Sequence, residues 1–481
     1  MKAILLQEPE LEFGTGRHVD IRFGLMAHGP VDFQDSPASR IRAGIVGSPE
    51  SIEGVANWIG KCRGEIEAKA SNYPYLFPKF PGCNQDTNLK FTVEVGTTSF
   101  REILDSQIEP WLKNPSRAAA VETVAKLFLA EIEYLASSQK VQVIICAPPM
   151  LLFKFLAEES SVELKESGAR GDSSEAPDFH DWLKAHAMNA GVPIQVVWPS
   201  TYDETKSLPK TRGQKDKRQL QDEATRAWNF HLALYYKAGG VPWRMSRSAT
   251  DMTTLYVGVS FYRALEKTRL QTSMAQVFNE RGEGVIVRGG TAKLCKDDMQ
   301  VHLDSASANQ LMDGALSQYK REHFTMPARI VLHKTSSFDA AEIEGFKSAI
   351  TKHVIHSADL LYVSHADTRA FRDGVYPPLR GTYINLEDHL HLLYTRGSVE
   401  FFNVYPGMYV PHPLRFRSDH LSQSAVFAAQ ELLALTKMNW NNTQFDGLEP
   451  ITIRAARQVG SILKYIDDPK LPYQSRYSFY M

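Results

Sequence analysis

Cysteine is scarce. Cys62, Cys83, Cys146 and Cys295 are the four in 481 residues, and none stands at C-x-x-C spacing. That excludes a zinc ribbon and a disulfide-stapled scaffold and fits a reducing compartment, the cytoplasm. An excess of either charge is also lacking, with 54 Lys and Arg against 55 Asp and Glu, a net charge of -1. The chain as a whole therefore exerts no pull on phosphate, and any nucleic-acid site has to be a local patch. Long apolar runs are missing too. The opening Met1-Lys-Ala-Ile-Leu-Leu6 turns polar at Gln7 and Glu8, too short for a secretory signal, and no other stretch approaches a membrane span. No internal repeat is evident. These absences predict a soluble cytoplasmic protein.

What is present is ordinary globular material, 43% apolar and 23% charged, long enough for two or three domains. Ile41–Val46 reads as a buried strand. Ser48, Pro49 and Glu50 then supply an N-cap, a first helical residue and a first-turn acid, with Ile52, Val55 and Ile59 on one helical face. This strand-to-helix step recurs: a helix over 118–135, a strand over 141–146, a helix over 179–189, a strand over 193–198 and a helix over 222–237 closed by Gly239-Gly240. Between them, 158–177 is rich in Ser, Glu and Gly and reads as a mobile surface insertion. The second half begins with the apolar strand 255–262 and a hairpin around 281–284. Strands follow at 329–333, 360–364, 382–386 and 399–404, with helices at 340–352, 424–436 and 452–465. Strands covered by helices predict a mixed sheet of the ribonuclease-H type, with the boundary near residue 250.

The densest charge lies between Lys206 and Arg218, six basic residues against one acid. A solvated loop is the common meaning of such a run; a phosphate-binding loop is the functional one. Here Tyr202-x-x-x-Lys206, a later Gln, and a helix ending Tyr235-Tyr236-Lys237-Ala-Gly-Gly240 before Pro242-Trp243 resemble the MID domain of Argonaute proteins. The resemblance implies that Tyr202, Lys206, a Gln and Lys237 converge on the 5'-phosphate of a guide strand. Ammonium groups and neutral donors suit a terminal phosphate, and a Tyr ring can stack on the first base. Gln214, Gln219 and Gln221 are all candidates. The helix separates Gln221 from Lys237 by about 24 Å, which favours Gln214. One turn before Lys237 the family often has a polar residue, where this chain has Ala233. The resemblance further implies a Mg2+ ion in that pocket, leaning on the phosphate, on water and on a buried carboxylate of Met481.

Over the second half, Thr436-Lys-Met-Asn-Trp-Asn-Asn442, Pro450-Ile-Thr-Ile and Ala456-Arg-Gln-Val-Gly460 are similar to the end of a PIWI domain. Tyr394-Thr-Arg-Gly397, Tyr405-Pro-Gly407 and Tyr409-Val-Pro411 resemble the short prokaryotic branch. An active PIWI domain is a two-metal nuclease that needs carboxylates on adjacent strands. Gly258-Val259-Ser260 stands where the family has Gly-x-Asp, Lys334-Thr335-Ser336 where it has Arg-Asp-Gly, and Arg457 where it has His or Asp. Neutral hydroxyls and a guanidinium cannot hold divalent ions, so no catalytic residue is expected. Glu387-Asp388-His389-x-His391 reads as polar sheet residues, with Glu387, His389 and His391 on one strand face.

The expected fold class is therefore α/β: residues 1–250 an N-terminal segment and Rossmann-like MID domain, and 251–481 a catalytically inactive ribonuclease-H-like PIWI domain. The resemblance implies a guide RNA, a single-stranded DNA target and specificity by base pairing. It also implies a heterodimer with an APAZ protein carrying a TIR, Sir2 or nuclease effector, in antiviral defence by abortive infection. Two rivals stand beside it: a guided nuclease with a displaced acid set (Asp251, Glu280, Glu283, Asp339), and a scaffold whose pocket is vestigial.

Overall fold

The computed structural model describes residues 2–157, 177–207, 220–246, 251–265, 270–278, 284–374, 377–407, 410–466 and 473–481. The polar insertion, most of the basic segment and the turn at 279–283 lie outside the described residues.

Four strands of the first half form one parallel sheet, in the order Thr92–Glu102, Arg40–Gly47, Val143–Ala147, Ile194–Val196. All five residues of Val143–Ala147 are buried, as expected for a parallel strand covered on both faces. The helix Pro49–Lys61 starts as its sequence dictates, with the Ser48 side chain accepting from the Ser51 amide. The long helix Arg117–Ser138 buries Ala120, Val121, Val124, Ala125, Phe128, Ile132 and Leu135, a stripe at helical spacing. The helix Glu223–Lys237 is capped by Asp222, and its end is turned by Gly239 at φ 97. There the amides of Gly239 and Gly240 bond back to Tyr236 and Tyr235, a reversal that requires a residue tolerant of positive φ.

The second half is built on an eleven-stranded sheet among the described residues. Its centre runs Leu414–His420, Ser357–His365, Arg329–Lys334, Thr254–Arg263, Leu270–Phe278. Arg329–Lys334 is parallel to both neighbours, whereas Leu270–Phe278 and Leu414–His420 run antiparallel to theirs. The hairpin was legible, and Phe278 faces Gly284 across it. The helix Ile451–Leu463 lies so close to the strand Thr254–Arg263 that a Cβ on Gly258 would stand 2.1 Å from the Thr452 carbonyl oxygen. Only glycine permits that approach.

Several expectations need correction. Val399–Val404 is not a strand: Val399 and Val404 bridge across a 3-10 turn, and Asn403 takes a left-handed conformation. Glu387 to His391 is not one strand either. Thr382–Glu387 and Leu390–Leu393 pair antiparallel around it, so alternation along a single strand does not apply, and His391 bonds the Tyr383 hydroxyl at 2.9 Å. The strand Thr92–Glu102 and the helix Ser305–His323 were not expected at all. The second sheet also reaches across residue 250, since Lys2–Leu5 pairs with Thr382–Glu387. The halves are fastened by the Lys437-Met-Asn-Trp440 segment. The Trp440 indole bonds the Trp243 carbonyl and stacks on Tyr236 at 4.7 Å, while the Lys437 ammonium holds Pro9, Val19 and Glu8.

Candidate functional site

The described phosphate-binding candidates come in two groups along the chain, Tyr202 with Lys206, and Lys237. Tyr202 ends the short helix Pro199–Tyr202 and packs against Gly54 of the helix Pro49–Lys61, where an added Cβ would stand 2.5 Å from its ring. Burial raises the Tyr202 phenol, against a hydrogen bond with Ser51. Lys206 lies 5.6 Å from the Tyr202 ring centre and bonds Glu50 at 2.6 Å.

Lys237 comes from another element. It ends its helix with 4% exposure, and its ammonium donates to the Gln195 side chain at 2.6 Å. Gln195 belongs to the strand Ile194–Val196. Gln214 and Gln219 lie outside the described residues. Gln221 stays at the helix start, accepting from Asn229 at 3.0 Å.

The sequence reading missed two members of the second group, Gln195 and Lys184. Lys184 sits on the helix Phe179–Ala187 with 2% exposure. Its ammonium donates to the backbone oxygens of Tyr480, at 3.4 Å, and Met481. Burial pulls Lys184 down to about 8, against the raising influence of Asp181 and Asp178. Burial, and then the charge of Lys184, hold Lys237 well below the ordinary lysine range. Among the described residues no Asp or Glu side chain lies within ion-pair distance of either ammonium, but the Met481 oxygen that Lys184 meets belongs to the last residue's carboxylate. Met481 itself is 3% exposed, and the segment leading to it crosses from the other half. Ser475 accepts from the Ile286 amide, and Tyr477–Phe479 forms a 3-10 turn. The arrangement is two buried cations, an amide and the last residue's carboxylate. A group with concentrated negative charge is the ligand it suits.

In the second half, Ser260 is 3% exposed on the strand Thr254–Arg263, and the Thr335 amide bonds the Val259 carbonyl. Arg457 projects from the helix Ile451–Leu463 and pairs with Glu449 at 2.7 Å, which also takes His365 at 2.9 Å. Burial would raise Glu449, but His365 and Arg457 prevail and lower it. Two described groups bring carboxylate and imidazole atoms within 4.8 Å of one another: Asp178, His180, Asp181 and His302, Asp339, Glu342. The second contains a fully buried ammonium already, Lys334, bonded to Glu342 at 2.7 Å. Asp339 caps the helix Ala340–Lys352, and Asp251 is exposed. Glu280 and Glu283 lie outside the described residues.

A Rossmann-like half followed by a ribonuclease-H-like half is the fold class of the MID–PIWI proteins. No family model matches the chain. An Argonaute protein of Cereibacter sphaeroides is 22% identical over 330 residues, which is 63% of this chain and 39% of that protein. The structure of Clostridium butyricum Argonaute, bound to a guide DNA and a 19-mer target DNA, superposes with a TM-score of 0.65 at 16% identity. It covers 99% of this chain and 54% of that one. Drosophila Piwi gives 0.56 at 13% identity, covering 99% and 56%. By sequence and by fold the chain is homologous to Argonaute proteins. It spans about half the length of these solved chains and about two fifths of the curated relative. Among the described residues no helix is long and apolar enough to cross a membrane.

Proposed function

We propose that this chain anchors a guide strand by its 5'-phosphate and presents it for pairing with a target, without cutting either strand. The observation that carries the reading is the pair of buried lysines, Lys184 and Lys237, with Gln195 beside them. A buried ammonium is costly to desolvate, and a terminal phosphate with nearly two negative charges offsets that cost. Tyr202 and Lys206 then border the first nucleotide, and Gln214 completes the set. The guide is RNA and the target single-stranded DNA. Specificity resides in base pairing, so the protein needs to hold only the shape and backbone of the duplex.

Ser260, Thr335 and Arg457 at the metal-binding positions support an inactive second half, because none offers an anionic ligand. Activity then belongs to an APAZ-containing partner with a TIR, Sir2 or nuclease effector, switched on in the cytoplasm when invading nucleic acid is recognised.

Purification from the native host without added nucleic acid, followed by end-labelling of what co-purifies, tests the reading. Short RNAs of uniform length with 5'-phosphates are expected. Absence of bound nucleic acid, together with no preference for 5'-phosphorylated oligonucleotides, overturns it. Strand cleavage by the purified chain with Mg2+ or Mn2+, abolished by Asp339→Ala, overturns the inactive second half instead.

A further inference from the structure

The helix Ala340–Lys352 ends in a way that its sequence does not favour. Beyond it the Ile355 amide bonds the Ile350 carbonyl at 3.2 Å, and the Val354 amide bonds the Thr351 carbonyl at 2.9 Å. Such a pair of bonds closes a helix through one residue in the left-handed conformation, where glycine is the usual choice. Here that residue is Val354, at φ 59. A β-branched side chain is strained there, and Val354 gains no burial from it, since it is 72% exposed. Glycine would serve the turn better, so the apolar side chain has some other use.

The next residue, Ile355, lines a cavity of about 320 Å³ between this helix, the start of the strand Ser357–His365 and the end of Leu414–His420. Ile350, Ala358 and Leu421 supply the rest of its apolar wall. Lys347, His356 and His420 line it as well, and no Asp or Glu is among its described lining residues. Lys347 Nζ lies 3.5 Å from His420 Nδ1. An ammonium can only donate, so Nδ1 accepts and the His420 proton sits on Nε2 as a further donor. A helix end ordinarily disfavours anions, but the Ala349, Ile350 and Thr351 carbonyls are occupied here by the His353, Ile355 and Val354 amides.

We infer that this cavity docks an acidic segment of a partner protein. One aliphatic side chain of that segment enters the cavity, its flanking carboxylates meet Lys347 and the two histidines, and Val354 packs against it. Apolar walls and an exposed valine offer nothing to a phosphate backbone, whereas they suit a peptide. The volume stands near the lower limit of ligand sites, which fits a side chain. The inference does not depend on guide anchoring. Ala358 pairs with Ile330 at the start of the strand Arg329–Lys334, and Thr335 follows the other end of that strand, roughly 17 Å along it.

The experiment follows the fluorescence anisotropy of a labelled peptide, leucine between two pairs of glutamates, on titration with the full chain at low salt. Saturable binding is expected, about tenfold tighter than for the same peptide with glutamine for glutamate or serine for leucine. Lys347→Glu, a change at an exposed position, is expected to weaken it about tenfold and to leave binding of single-stranded RNA unchanged. Val354→Gly is expected to weaken the peptide about threefold and to melt at a higher temperature than the wild type, because glycine relieves the strain. Absence of saturable binding at about 1 mM overturns the inference. So does equal affinity for the serine peptide, which leaves charge attraction alone, and so does displacement of the peptide by an equal concentration of a single-stranded DNA oligonucleotide, which makes the face a nucleic-acid contact. A Lys347→Glu or Val354→Gly protein that binds the peptide as the wild type does overturns it too.

Discussion

Both halves of the molecule bury lysines, and they surround them differently. Lys334, fully buried in the second half, has both Glu342 oxygens at 2.7 and 2.8 Å and His302 on the same carboxylate. Lys437 has Glu8 at 2.6 Å, and buried Arg329 has Asp359 and Glu431. In the first half Lys184 meets the carboxylate of the last residue, Met481, whereas Lys237 has the Gln195 amide oxygen. A buried charge with its counterion serves the fold, and removing one partner leaves the other stranded. A buried charge without a counterion serves no such purpose in the unliganded protein. The difference sets Lys237 apart from the cations that hold the structure.

The sharpest way to break the comparison is Glu342→Gln. It strands Lys334, so urea denaturation is expected to show a loss of about 3 kcal/mol or more; a loss below about 1 kcal/mol would make the two kinds of lysine equivalent. Lys237→Met runs the other way. The unliganded protein is expected to gain about 1 kcal/mol or more, because a desolvated charge is replaced by an apolar chain of similar length. A loss of stability on this change would show that Lys237 has a structural partner.

Titration sharpens the same point. Lys184 sits at about 8, against an ordinary 10.5. Below pH 8 the native state carries its full burial penalty. Between 8 and 10.5 the unfolded chain binds more protons than the native one, so stability rises with pH there. The stability of Lys184→Met minus that of the wild type should therefore fall between pH 8 and pH 10.5, by up to about 3 kcal/mol. The facing groups Asp178, Asp181 and Cys146 all act to raise Lys184. Chemical denaturation at several pH values checks the trend, and a gap that widens with pH would contradict it. The 5'-phosphate preference should weaken over the same rise, as the ammonium is lost.

The smallest effect belongs to the half-exposed pair at the other group. Glu50→Ala should alter stability by less than about 1 kcal/mol. By releasing Lys206 it should tighten 5'-phosphorylated RNA by up to about fivefold; weakened binding would remove Lys206 from the site.

The architecture was largely legible because its elements are marked locally. Ser48-Pro49-Glu50 starts a helix, Gly239 ends one, and apolar runs such as Val143–Ala147 are buried strands. Thr92–Glu102 escaped because it is an edge strand of mixed exposure, and Ser305–His323 because polar residues fill so much of its length. The site was legible only in part. Lys237 and Tyr202 stand out by spacing, but Lys184 falls on the polar side of its helix with His180 and reads as solvated. What buries it is Tyr480 and Met481, almost three hundred positions away. Gln195 is an alternating residue of a three-residue strand, and only its contact with Lys237 distinguishes it.

The pairing of Lys2 with Asn385 has a consequence in time. At synthesis rates of about 5–20 residues per second, the partner strand follows the first by roughly 20–80 s. For that interval the early strand is an open template for wrong partners, a hazard that native proteins blunt with short strands and edge lysines. Lys2–Leu5 has both, being four residues long and starting on lysine. Glu8 must likewise wait for Arg380 and Lys437.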